Sequence, residues 1–413
     1  MNDVEVRVHR KLVGKKFEPA FLLYSWPSMR LHEDGSRWIA KLARRGSENH
    51  QRNQAYAIAY WHTYCIGIGL DYRRATYDDF FAFQVAMAEV VSDQTGGNLE
   101  PGTIEQRMKA VVAYYESGEK AGWNKTAVDL KHALLAAKAG SAPTEKVYAL
   151  PIDSSAEVPL AKRFETDVCP LSPNDLMLVL DELGPNESEN SLEPKRDRII
   201  AEWLVNVGLR LSEVVGSGKR QGLGIKQFSN LHPDPRYPFE HSIVRVFGKG
   251  SKFRSVRVPN WLIAKTKLYI SSERANAVAQ AQAVTSKLFV GQVHAAKAYR
   301  GRPITGRRFE KIFESACVRA GLFGDMTFDD RDLAGEKARH SPHDLRHTYA
   351  IATYYAELAL GNSEPWKLIQ AQLGHRKLTT TIETYLNAVN LMTQWGRDLR
   401  RMSVRELAGL PRG

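Results

Sequence analysis

Between Gly140 and Lys162 the chain reads GSAPTEKVYALPIDSSAEVPLAK. Pro143, Pro151 and Pro159 each lack an amide hydrogen and fix φ, so no long helix crosses this stretch. The Ser, Ala and Thr between them complete a linker composition, in which a short strand over residues 146–150 is the one regular element with room to form. A chain of 413 residues is also long for a single core. We therefore read residues 141–165 as a linker between a helical domain, 25–140, and a second domain, 166–389. Residues 1–24 make a basic N-terminal arm or leading element through Arg7, Arg10, Lys11, Lys15 and Lys16, and residues 390–413 a C-terminal tail.

Periodicity fills in both domains. From Ser47 onward, Ala55, Ile58, Ala59, His62, Cys65 and Ile66 fall on one helical stripe. Residues 77–91 are apolar nearly all round, which predicts a helix central to a small bundle and broken at Gly96-Gly97. Thr103 to Gly118 follows as a helix with Thr103 as its cap and Ile104, Met108, Val111, Val112 and Tyr115 on one face. The second domain opens at Ser172-Pro173-Asn174-Asp175, an N-cap, a proline and an acidic first turn ahead of Leu176, Leu180 and Leu183. Arg196–Val207 is the next helix, with Ile199, Ile200, Trp203, Leu204 and Val207 inward. Ile243–Phe247 and Ser255–Val258 read as two strands around the turn GKGSKF, the one clear sheet signal in the chain. Residues 303–321 read as a helix with a basic start, and residues 327–340 as a charged, solvated loop. The expected fold class is mainly α with a small antiparallel β element.

Composition narrows the partner. A net charge of +12 and a pI near 9.4 suit a polyanion, most simply double-stranded DNA. No run approaches the roughly 20 apolar residues of a membrane span, and MNDVEVRVHRKLVGKK lacks the apolar core of a signal peptide. The expectation is a cytoplasmic, nucleoid-associated protein. Cys65, Cys169 and Cys317 are widely spaced in apolar contexts, as buried thiols are, so neither a disulfide nor a zinc cluster is expected.

The densest chemistry lies in residues 341–389. Ser341-Pro342 marks a helix start, His343 and Arg346 share a face at i, i+3, and Leu345, Tyr349, Ala352 and Ala356 follow at helical spacing as the buried face. Leu373-Gly374-His375 marks a turn that presents His375, and Tyr385 follows ten residues later. Two histidines, an arginine and a tyrosine gathered this way are equipped to activate attack on a phosphate.

The pattern H-x-x-R, then L-G-H, then Tyr resembles the catalytic box of the tyrosine recombinases, the phage-type integrases. Upstream, NVGLRLSE at 206–213 resembles that family's GLR-x-SE segment, and GKGSKFR at 248–254 its GKG-x-K-x-R hairpin. The four motifs stand in the family's order across the C-terminal half of the chain. The likeness implies a helical core-binding domain that clamps DNA, joined to a tyrosine-recombinase catalytic domain. It implies a site-specific recombinase that cuts and rejoins DNA through a 3′-phosphotyrosyl intermediate and a four-way junction. Such enzymes work as a tetramer on two DNA sites, without cofactor, metal or ATP, in mobile elements among other settings; an accessory protein is a further candidate partner. A type IB topoisomerase and a decayed, non-catalytic DNA binder are the alternatives.

Residue by residue, the resemblance makes Tyr385 the nucleophile and Arg210 and Arg346 the clamp on the non-bridging oxygens, where a planar guanidinium donates two parallel hydrogen bonds. Lys249 would be the general acid at the departing 5′ oxygen, with Lys252 as a rival. His343 and His375 would complete the cage, and Glu213 would orient the site from behind. Lys252, Arg254, Arg307 and Arg308 are expected DNA contacts. Tyr349, Tyr354, Tyr355 and the pair Tyr114-Tyr115 read as core aromatics. His375 and Tyr385 stand one residue further apart than is common in the family, and the insertions after Gly216 and around 327–340 exceed its leanest members. The tail WGRDLRRMSVRELAGLPRG is similar to the segment that family members pack on a neighbouring protomer.

Overall fold

The computed structural model describes residues 3–10, 19–44, 48–89, 98–124, 168–185, 196–216, 222–248, 253–324 and 338–391. The expected linker, Gly96-Gly97, Lys249, Lys252, residues 325–337 of the charged loop and the tail beyond residue 391 lie outside them. The chain forms two compact units, Met1–Phe164 and Glu165–Gly413.

The first unit begins with a feature the sequence reading did not foresee. β1 (Glu5–Arg10) and β2 (Phe21–Trp26) form an antiparallel hairpin in which Val6 faces Ser25 and Arg10 faces Phe21. An arm or boundary ending at residue 24 is therefore corrected, because strand β2 runs straight through it. The basic side chains misled the reading: Arg7 and His9 take the outward positions while Val6 and Leu23 are buried. The hairpin is tied to the helices by polar contacts. Val6 N donates to Thr63 Oγ1 at 2.9 Å, and Leu23 N donates to Ser36 Oγ at 3.1 Å.

Four helices follow: α1 (Glu33–Ala43), α2 (Glu48–Gly67), α3 (Tyr77–Glu89) and α4 (Pro101–Lys120). The α2 stripe is buried as its spacing predicts, at Ala55, Ile58, Ala59, His62 and Cys65. Two expectations change. Helix α4 starts at Pro101 after Glu100, so Thr103 is inside the first turn and not its cap. Helix α3 buries only Phe80, Phe83 and Met87 and leaves Tyr77 and Phe81 exposed, so it covers one side of the unit instead of running through its centre. The centre belongs to Trp61. Its ring stacks on Phe80 with centroids 4.6 Å apart, meets Phe83 edge-on at 5.0 Å, and its Nε1 donates to Tyr115 Oη at 2.9 Å.

The second unit packs α5 (Pro173–Leu183) and α6 (Arg196–Val207), the short α7 (Leu211–Val214), the hairpin β3 (His241–Phe247) and β4 (Phe253–Pro259), then α8 (Asn260–Ser271), α9 (Glu273–Ala281) and α10 (Gly306–Arg319). Ser172 Oγ caps α5 by accepting from Asp175 N, as the sequence signals. Helix α6 is the axis of this core. Ile199, Ile200, Trp203, Leu204 and Val207 are fully buried, and its polar side is closed from within and by α8: Arg198 Nε and Lys265 Nζ both donate to Glu202 Oε1, at 3.0 and 2.8 Å.

Three further helices, α11 (Pro342–Ala359), α12 (Pro365–Leu373) and α13 (Leu378–Leu391), build a second apolar cluster from Ile351, Tyr355, Ile369, Leu373, Tyr385 and Val389. Along α11 the buried stripe runs through Leu345, Thr348, Ile351 and Tyr355, whereas Ala352 is half-buried and Ala356 exposed. Among the described residues no helix is long and apolar enough to cross a membrane.

Truncating a fully buried tryptophan typically costs about 3–5 kcal/mol. Trp61→Ala should therefore destabilise the first unit by that amount and leave the second unit's unfolding unchanged. Urea unfolding of the full chain, followed by hydrogen exchange resolved to each unit, checks this.

Candidate active site

The site starts where α6 ends. Gly208 takes φ +70°, and a Cβ there would lie 2.4 Å from Tyr349 Cδ1 and 2.8 Å from Leu373 Cδ2. Only glycine fits, for backbone and packing reasons alike. The turn it makes releases Arg210 from the helix direction, and α7 begins one residue later. Glu213, 2% exposed, reaches back to accept Arg210 N at 2.8 Å, the backward half of a capping box. Burial by itself would raise the pKa of this carboxyl. The Arg254 guanidinium, which donates to both Glu213 oxygens, and Arg210 outweigh that and hold it below its ordinary value.

Arg346 is delivered by α11. Ser341 precedes the helix, Pro342 occupies its first turn, and Asp344 Oδ2 accepts Ser341 N at 2.8 Å. The Arg346 side chain is 1% exposed. Its Nη1 donates to Gly208 O, and its Nη2 donates to Leu373 O at 2.8 Å and to His375 Nε2 at 3.3 Å. Burial, then the nearby Arg210 charge, lowers its pKa to about 10, which leaves it charged at neutral pH.

Gly374, with φ +70°, ends α12 and turns the chain so that His375 faces Arg346. The His375 Nδ1 lies 2.9 Å from Thr381 Oγ1. Because Nε2 accepts from Arg346, the ring proton sits on Nδ1 and donates to the threonine. Tyr385, 1% exposed, lies on α13 of the same chain, its ring parallel to His375 at 6.5 Å between centroids. Its hydroxyl is 3.2 Å from His347 Nδ1, and the Arg346 charge lies close enough to act on it. His343 stands exposed at the head of α11, edge-on to His347 at 4.6 Å.

Burial first, then the charges of Arg346 and the neighbouring groups, lowers His375 to a pKa of about 4. Burial, with His343 and Arg346 behind it, lowers His347 to about 3. Both imidazoles are therefore neutral. Burial raises the Tyr385 phenol against the pull of Arg346 and Arg210.

Thus the structure gathers five of the six expected site residues, Arg210, His343, Arg346, His375 and Tyr385, with Glu213 behind them. Lys249 lies outside the described residues. Of the expected DNA contacts, Arg307 and Arg308 are exposed in the first turn of α10, which Thr305 caps, and Gly306 beside them abuts Leu211 next to Arg210. Arg254 has another partner: its guanidinium is turned inward onto Glu213, and its Nε donates to Gln372 O at 3.3 Å. This places Arg254 in a role inside the protein that the sequence reading did not foresee.

Two residues escaped the sequence reading. His347 follows Arg346 directly, and a lone histidine on a helix carries no signal of its own. Gln372, 6% exposed, uses its carboxamide as a strand would: Oε1 accepts Arg257 N at 3.0 Å while Nε2 donates to Arg257 O at 2.7 Å and Val207 O at 3.2 Å. It clasps the β3–β4 hairpin to α12 and to the turn before Arg210. No local pattern announces a contact spanning so much sequence.

Fold and site together define a class: a helical unit with two guanidiniums and neutral imidazoles around a buried phenol, arranged to receive an anion. A family model described as the phage integrase family matches residues 184–390. The chain belongs to the phage integrase family. It is 27% identical over 226 residues to tyrosine recombinase XerD of Corynebacterium glutamicum, a match covering 54% of this chain and 59% of that protein. It is 30% identical over 194 residues to tyrosine recombinase XerC of Chlamydia caviae, covering 46% and 47%. The chain thus spans roughly half the length of these curated relatives. Among solved structures, the XerH site-specific recombinase bound to palindromic difH substrate, a post-cleavage complex, shares the fold with a TM-score of 0.51 at 18% identity, over 87% of this chain and 82% of that one.

The neutral histidines make stability depend on pH. The unfolded chain protonates them below about pH 6.5, whereas the folded site resists protonation down to about 4 for His375 and about 3 for His347. The unfolded state therefore binds more protons in that window, and stability falls as pH falls through it. From about pH 7.5 to about pH 5 the loss from His347 should be on the order of 2 kcal/mol. His347→Asn, which cannot titrate there, should show a correspondingly smaller loss in urea unfolding.

Proposed function

We propose that this chain is a site-specific DNA recombinase, metal- and ATP-independent, that breaks and rejoins strands through Tyr385. The observation that carries the reading is the meeting of Arg210, Arg346 and His375, brought from three separate segments of the chain, around the buried Tyr385 phenol. A phosphodiester placed there meets donors fixed before it arrives, which is the usual source of transition-state stabilisation. Tyr385 Oη attacks the phosphorus, the 5′ oxygen departs, and a 3′-phosphotyrosyl ester keeps the bond energy for rejoining. Lys249 serves as the acid at the 5′ oxygen in this reading, and His343 closes the exposed side of the cage. The names of the XerD and XerC relatives support recombination as the outcome.

The substrate is double-stranded DNA, with Arg307 and Arg308 as backbone contacts beside the site and Lys252 as a further one. We further propose a tetramer on two DNA sites passing through a four-way junction, acting with the nucleoid in the cytoplasm, with an accessory protein as a further partner. The C-terminal tail docks on a neighbouring protomer.

The test uses a nicked suicide substrate made from inverted repeats flanking the gene, whose cleaved flank diffuses away. The full chain should become trapped in an SDS-resistant, protease-sensitive adduct with DNA labelled at the 3′ end of the cut. Tyr385→Phe should bind the same DNA and form none, while Tyr349→Phe, Tyr354→Phe and Tyr355→Phe should still trap. Arg210→Ala should slow trapping by about 100- to 1,000-fold. An adduct retained by Tyr385→Phe, or mapped to another residue, would falsify the assignment.

A further inference from the structure

Resting on the reading of Tyr385 as nucleophile, we propose that His347 is a further catalytic residue, the base that takes the phenol proton as Tyr385 attacks.

The geometry around the hydroxyl leads there. Among the described residues, the side chain within hydrogen-bonding distance of Tyr385 Oη is His347, with the Arg346 charge close by. A guanidinium has no lone pair to offer, so Arg346 can only donate to the oxygen. With the lone pair of a neutral His347 on Nδ1, 3.2 Å away, the phenol proton has its acceptor there. His375 is ill placed to compete. Its ring lies parallel to the tyrosine ring, 8° between planes, its Nε2 lone pair is taken by Arg346, and its Nδ1–H by Thr381. His343 touches the edge of His347 and not the phenol.

The same surroundings set the protonation state. His343 and Arg346 face His347 from its own helix, His375 from the turn after α12, and Tyr385 from α13. Burial first, with the Arg346 charge and the neighbouring imidazoles that would repel a second proton, keeps the His347 ring neutral and its Nδ1 lone pair available. A phosphate clamped by Arg346 adds a negative charge to this group and so raises the basicity of His347. The base thus strengthens only when substrate is in place.

In the step itself, the Oη–P bond forms as the bond from phosphorus to the 5′ oxygen breaks. The phenol proton passes to His347 Nδ1, and the 5′ oxygen takes a separate proton from the acid or from water. On rejoining, an incoming 5′ hydroxyl attacks the phosphotyrosine and gives its proton back to the acid or to water, the Oη–P bond breaks, and His347 Nδ1–H returns its proton to Oη. Charge and protons balance over the cycle, and Nε2 keeps its hydrogen throughout.

A residue that merely held the phenol would need a hydrogen-bond acceptor but no basicity. His347→Asn separates the two, since its amide oxygen occupies nearly the place of Nδ1 and accepts without being protonated. Adduct formation is followed in a single turnover of the full chain on the nicked substrate, with DNA affinity and melting temperature measured alongside. His347→Asn should bind as the wild type and form adduct about 100-fold more slowly or worse. His347→Gly should be comparably slow and be accelerated at least about tenfold by added imidazole, in proportion to its neutral form. Wild-type rates in His347→Asn would overturn the proposal, as would a folded His347→Gly indifferent to imidazole. If His347→Gly does not fold, the asparagine variant decides alone. Failure of the wild type to form any adduct would count against the recombinase reading itself, which keeps the two apart.

Discussion

A guanidinium buried to 1% exposure is the constraint on which the catalytic unit depends. Removing such a charge from water costs several kcal/mol unless its donors are satisfied. Among the described residues no carboxylate sits within ion-pair range of Arg346. Its donors are met instead by Gly208 O, Leu373 O and His375 Nε2, one from each of two turns and one from a ring. Each acceptor has to be brought there. Gly208 must adopt positive φ to offer its carbonyl, and α12 must end at Leu373 for that residue's carbonyl to be free. The two glycine turns are therefore consequences of where the arginine has to be, and Arg210 and His375, next along the chain, are placed by the same turns.

The electrostatics follow from this. Arg210, Arg254 and Arg346 carry three positive charges and Glu213 one negative charge, so the cluster holds two positive charges in excess. The histidines cannot add to this because burial and those charges keep them neutral. An excess held away from water is unfavourable and is relieved by an anion. Glu213 limits the imbalance and also aligns its two arginines, which explains why a carboxylate sits at the base of an anion site at all.

The parts legible in the sequence are those whose signal is local. Ser172-Pro173 and Ser341-Pro342 announce helix starts, α6 shows its buried face in its spacing, and β3–β4 is visible as alternation around a glycine turn. Arg210, Arg346, His375 and Tyr385 could be named because each stands in a short ordered motif. What failed to show depends on distant partners. The β1–β2 hairpin joins two six-residue strands, the first of which carries Glu5, Arg7 and His9 on its outward positions, so the basic start suggests an arm. Arg254 looks like a surface cation until Glu213, forty-one residues away, is placed beside it. Gln372 pairs with Arg257 over 115 residues, and His347 with Tyr385 over 38, distances across which a single sequence carries no register.

The tyrosine itself shows how these constraints combine. Helix α13 is held to α11 by Tyr355 Oη donating to Val389 O at 2.7 Å and by the apolar cluster they share, so Tyr385 completes the site of its own chain. Buried there, the phenol has a raised pKa and is protonated at neutral pH. A protonated phenol is a poor nucleophile, and the arginines beside it that favour its ionisation are the ones a phosphate would engage. Occupying them with an anion weakens their pull on the phenolate, so the arginines cannot supply the whole activation. Losing the proton during attack instead requires a neutral acceptor aimed at the oxygen. The packing that buries Tyr385 places the neutral His347 in that position.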